Sequence, residues 1–207
     1  MADLNEAPPA EIRYAGFWSR LVAGLLDAVV WLPVIVLAFW LDGLSYAGAV
    51  ISAFVGPAFL IPYNVGLVGI YGGTLGKLMR GLRVRQVNGA PATWANAWRR
   101  SSVDIFFSVS GAIFTLIALT RINPEVYFDA GWQARSEILG KTIPAYQWFY
   151  WASFFWGLSE LVTLLSNKKR RALHDFIGGT VVVHTAPQSL DVRPGRTDPQ
   201  QIPARSY

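Results

Sequence analysis

A few ionisable residues lie inside stretches that hydrocarbon would surround. Residues 20–30 read RLVAGLLDAVV and carry Arg20 and Asp27; Asp104 falls in SSVDIFFSVS and Glu160 in FFWGLSELVT. An isolated carboxylate is costly in hydrocarbon, so each must face the interior of a bundle, find a partner or take a proton. Two kinds of chemistry follow. Such acids either fasten helices to one another or hold a coupling proton or cation.

Spacing sharpens the choice. Arg20 and Asp27 are seven residues apart, about two helical turns or 10 Å along one face. Glu160 lies six residues before Ser166, which places it about 9 Å from that helix end, level with Asp27. Asp27 and Glu160 are therefore expected to approach each other. Asp104 is shallower, in what reads as the first turn of its span, where the helix dipole favours a negative charge. Asp175 follows the last apolar stretch by nine residues, enough chain to fold back onto Arg20, so a pair within about 4 Å is expected.

These residues must be positioned by membrane helices. The chain is 53% hydrophobic and 15% charged, where soluble domains carry about 25% charge. A crossing needs about 20 apolar residues. Four stretches qualify: Leu21–Leu41, about Tyr46–Tyr71, about Ser101–Thr120 and about Ala145–Ser166. Pro33, Pro57 and Pro62 predict kinks within the first two. No apolar signal-peptide core occurs in residues 1–14, so no cleaved leader is expected.

Basic residues set the orientation. Of the 18 lysines and arginines, none lies between the first two stretches, and only Arg121, Arg135 and Lys141 lie between the last two. The rest flank the other ends, which predicts both termini in the cytoplasm. Lys168, Lys169, Arg170 and Arg171 form a basic patch expected to meet anionic lipid headgroups. The expected fold is thus an all-α membrane protein with four transmembrane helices. The domain reading is a flexible N-terminus (1–14), a membrane domain (15–186) and a disordered tail (187–207).

The connecting segments carry structure of their own. Residues 82–87 alternate apolar and polar and precede Asn88-Gly89, a tight-turn signal. They predict a strand that pairs with about 180–185. Thr93 reads as the N-cap of an interfacial amphipathic helix over about 93–100, with Trp94 and Trp98 on one face.

Other chemistries fail on their residues. There are no cysteines, and His174 and His184 alone cannot build a zinc site. YGGTLGK lacks the first glycine and the final Ser/Thr of a phosphate-binding loop. His174-Asp175 has no further histidine near it in sequence. No metal, cofactor, catalytic residue or nucleic-acid partner is expected.

Three blocks resemble the RDD family of bacterial integral membrane proteins: AGFWSRLVAGLLDAVV (15–30), GGTLGKLMRGLRVRQVNGAPATWANAWRR (72–100) and KRRALHDFIGGTVVV (169–183). The first resembles the family's opening helix, with Arg20 and Asp27. The second resembles its Thr-Leu-Gly-Lys stretch, strand and turn. The third resembles its closing His-Asp element, with Asp175. The resemblance implies a bacterial inner-membrane protein and carries no catalytic residue set. It leaves two roles open: a non-enzymatic accessory or assembly subunit of a larger membrane complex or homo-oligomer, and a small ion-coupled transporter or transporter subunit.

Overall fold

The computed structural model describes residues 13–166 and 170–185. Lys168, Lys169 and the tail from 187 onward lie outside the described residues, as does most of the N-terminal segment. Nine α-helices, one π turn and two strands occur among the described residues.

The first helix, α1 (Phe17–Leu44), has 28 residues and is about 42 Å long, enough to cross a hydrocarbon core of about 30 Å. Ser45 alone separates it from α2 (Tyr46–Leu60), and the Ser45 hydroxyl accepts from the Gly48 amide at 3.2 Å as an N-cap. A side chain at Gly48 would collide with the Leu41 carbonyl, so this glycine lets the helical hairpin close. The assigned helices run through Pro33 and Pro57 unbroken. At Pro62, which has no N–H to give, the helix widens into a π turn over Ile61–Gly66, and the Leu67 amide reaches the Pro62 carbonyl. The run continues as α3 (Leu67–Tyr71) and ends at Gly72, whose φ of 72° needs glycine.

Next come α4 (Leu75–Met79) and β1 (Leu82–Gln86), then α5 (Trp94–Leu119). The separate interfacial helix expected over 93–100 is corrected here: those residues are the first turns of α5, continuous with the third apolar stretch. Thr93 does cap it, in a reciprocal capping box with Asn96. The helix continues with Arg99 exposed and Arg100 turned inward, needing no exit to water. Arg100 is buried and paired, as described below.

The segment between the third and fourth apolar stretches folds into α6 (Pro124–Asp129) and α7 (Trp132–Thr142). The fourth stretch is α8 (Pro144–Ser166), then α9 (Leu173–Gly178) and β2 (Thr180–His184). α1, the run Tyr46–Tyr71 and α5 are long and apolar enough to cross a membrane. At 23 residues α8 is long enough, about 35 Å, but its Trp, Tyr, Ser and Glu residues make it less apolar than those three.

β1 and β2 pair antiparallel, with Val84 opposite Val182 and Gln86 opposite Thr180. Tyr14 adds a bridge to Val183, and the Ala15 amide donates to the Val182 carbonyl at 2.9 Å. Leu82, Val84, Val182, Ala15, Ala23, Val65, Val68 and Ala97 form one buried cluster, so the sheet packs on the ends of the helices. A second cluster at Ala49, Ala118, Leu119, Tyr127, Leu139 and Ile143 binds α6 and α7 to the bundle. The outward faces of α1 and α8 remain apolar and exposed, as a lipid-facing surface requires.

Candidate functional site

Asp175 is the node. It sits in the first turn of α9, and its Oδ2 reaches back to the Ala172 amide at 3.0 Å, half of a capping box. That turn leaves the carboxylate fully buried against α1 and α5. Arg20 Nη1 of α1 donates to Oδ2 at 2.7 Å, inside the reach expected from the sequence. Arg100 Nη1 of α5 donates to Oδ1. Thr180 Oγ1 also accepts from Arg100 at 3.1 Å. One carboxylate therefore joins three elements that are far apart in sequence. Gly178 permits the close fit, because a side chain there would meet the Arg100 Cβ at 2.9 Å.

His174 extends the network. Its Nε2 lies 2.5 Å from Arg100 Nη2, a nitrogen that can only donate, so Nε2 accepts and the imidazole is neutral. Nδ1–H then faces Glu160 of α8. The His174 amide donates to the other Glu160 oxygen at 2.8 Å. Burial, reinforced by Arg100, Lys77 and Arg20, holds the His174 pKa well below 6.5.

Asp27 has a separate cradle. Tyr63, turned inward by the π turn, donates to Oδ1 at 2.6 Å. Thr74 Oγ1 donates to Oδ2 at 2.6 Å and the Gly76 amide to Oδ1 at 2.7 Å. Lys77 Nζ lies 3.9 Å away. The Thr-Leu-Gly-Lys stretch is thus a carboxylate clamp. A side chain at Gly76 would strike the Ala23 carbonyl and Asp27 itself, so only glycine brings this backbone to α1. Burial, and then Arg100, pull the Lys77 pKa down to about 8, against the raising pull of Asp27.

The expected approach of Asp27 and Glu160 is not what the donors show. Asp27 takes its donors from the π turn and α4, Glu160 takes its own from α9, and none is shared. Asp27 has Lys77 beside it and Glu160 has His174, so each acid is matched by its own neighbour. Asp104 is also corrected. Because α5 begins at Trp94, Asp104 lies in its third turn rather than its first. It accepts from Trp156 Nε1 at 3.0 Å, tying α5 to α8.

Arg171 donates to the Thr180 and Asp175 carbonyls, each at 3.0 Å, and stacks over Phe176. It braces α9. Arg170 is exposed. Sequence reasoning missed Arg100, His174, Tyr63, Thr74 and Lys77 as members of the network. Thr74, Lys77 and His174 had a signal in the Thr-Leu-Gly-Lys and His-Asp stretches, whereas Tyr63 and Arg100 lie outside them.

Between the two networks lies a cavity of about 70 Å³, lined by Asn64, Thr74, Lys77, Arg100, Asp104 and His174 among others. It has room for a few waters. A larger groove of about 450 Å³ opens between α1 and α8. No group of three or more His, Asp or Glu side chains that could hold a metal occurs among the described residues.

Apolar spanning helices with a buried arginine–aspartate core at one end define a helical membrane protein. The RDD family matches residues 14–179 of the chain, which takes in Arg20, Asp27, Asp104, Glu160 and Asp175. The protein belongs to the RDD family. No match was found among curated proteins or among solved structures.

Proposed function

We propose that the protein is a non-enzymatic accessory or assembly subunit of a larger membrane complex. It crosses the bacterial inner membrane four times, with α8 as the fourth crossing and both termini cytoplasmic. The supporting observation is the saturation of two of its acids, Asp175 and Asp27. Asp175 receives two guanidiniums and a backbone amide, and Asp27 receives two hydroxyls and an amide, with an ammonium alongside. A coupling ion needs open oxygen ligands, and these oxygens are taken. Fixed donors of this kind hold helices in register and present a rigid outer surface to a partner.

The ion-coupled transporter is the second reading, favoured by the polar cavity that places Asp104, Lys77 and His174 together. Sodium and proton flux into proteoliposomes separates the two, with wild type and Asp27→Asn compared. The accessory role expects no flux above empty vesicles and a stable protein partner co-purifying in mild detergent. Wild-type flux that Asp27→Asn abolishes overturns it.

A further inference from the structure

The groove between α1 and α8 has apolar walls and a cationic floor. Leu21 and Leu25 line it from α1, and Leu161 and Leu164 from α8. Gly24 and Gly157 face open space in it. A Cβ built at Gly24 or at Gly157 meets nothing within 4 Å. At one end lie Arg20, Lys77 and Arg100, with Glu160 the one carboxylate, both of whose oxygens face His174.

Arg20 has unspent capacity. Its side chain is 8% exposed and uses Nη1 on Asp175, yet Nε and Nη2 are buried with no acceptor. Unpaired buried donors of a charged group are costly, so an acceptor is wanted there. Nε and Nη2 form the side-on edge of a guanidinium, which matches two oxygens of one phosphate. The level is also right. Arg20 is in the first turn of α1, close to the exposed Trp18, where headgroups meet the hydrocarbon.

We propose that this groove holds one anionic phospholipid, its acyl chain between α1 and α8 and its phosphate at the Arg20 end, where a turn of the guanidinium toward the groove uncovers the Nε/Nη2 edge. The groove volume falls within the usual range of small-ligand sites, about 300–1,000 Å³. Apolar walls suit a chain, which a free anion would leave unmatched. Arg170 and Arg171 do not line the groove, and the proposal holds whether or not the accessory reading does.

The test uses the full-length protein in mild detergent, with phosphatidylglycerol, phosphatidylcholine or inorganic phosphate added. Retained lipid is counted by native mass spectrometry and unfolding is followed by heating. Phosphatidylglycerol should be retained at about one per chain, about tenfold over phosphatidylcholine, and should raise the melting temperature. Gly157→Leu should fill the groove and abolish both effects. Arg20→Lys, which keeps the charge but loses the fork, should erase the preference while leaving an acyl chain bound. Equal retention of the two lipids by wild type overturns the proposal. So does undiminished retention in Gly157→Leu, or an equal stabilisation by inorganic phosphate alone. If Gly157→Leu melts early without lipid, Gly24→Leu on the opposite wall is read by the same criteria.

Discussion

An arginine and an aspartate meet at both ends of the bundle, and they do different work. At the sheet end, Asp175 is fully buried and takes both Arg20 and Arg100, from helices whose sequence positions are far removed. At the α6–α7 end, Arg135 lies 3.6 Å from Asp42, and both side chains are partly exposed. There Arg135 spends its donors mainly on carbonyls, of Tyr127, Phe128 and Ala130, while the Tyr127 hydroxyl donates to Asp42 at 3.1 Å. One end uses charge to join elements, and the other uses a guanidinium to organise a local loop. Breaking a buried pair strands an unpaired charge, whereas a partly wet pair exchanges its partner for water.

The largest effect is expected at the node. Asp175→Asn leaves two buried guanidiniums facing a neutral amide, and should cost about 3–5 kcal/mol, read by thermal or denaturant unfolding in detergent. Gly76→Ala should follow, at about 2–3 kcal/mol. Its Cβ would lie 2.1 Å from the Ala23 carbonyl, so α4 must move and the Asp27 clamp must open. A loss no larger than that of a surface substitution would show that α4 is loosely held.

Acid should weaken the sheet end selectively. The folded His174 pKa is held well below 6.5, so below that pH the unfolded chain binds a proton that the folded chain refuses. Stability then falls as pH drops through 6.5. His174→Gln should flatten that slope between about pH 7.5 and about pH 5.5. An unchanged slope would place the acid sensitivity elsewhere. The smallest effect is expected at the other end: Tyr127→Phe removes one hydrogen bond to a partly exposed carboxylate and should cost about 1 kcal/mol.

The two ends were also unequally legible in the sequence. Apolar runs placed the helices, and strand alternation placed β1 against β2 to within a residue. Depth along the chain was enough to bring Arg20 to Asp175, because both lie at helix ends where the rise per residue fixes the level. Depth was not enough for Asp27 and Glu160, since equal level says nothing about which side of the bundle a residue faces. The Thr74–Lys77 clamp was hidden because its chemistry is a backbone amide and a hydroxyl brought in by a glycine, with no charge pattern to announce it. Tyr63 depends on the π turn at Pro62, which shifts the helical register that periodicity assumes. At the far end, Arg135 binds carbonyls, and carbonyls leave no trace in residue type.

A double-mutant cycle between Arg20 and Asp175 tests the fastening most directly. Arg20→Met, Asp175→Asn and the combined variant are unfolded under one set of conditions. If the pair joins α1 to α9, the double variant is more stable than the summed single losses allow, with a coupling of about 1–3 kcal/mol. Strict additivity of the two losses would mean that Arg20 and Asp175 act independently, and would contradict the account.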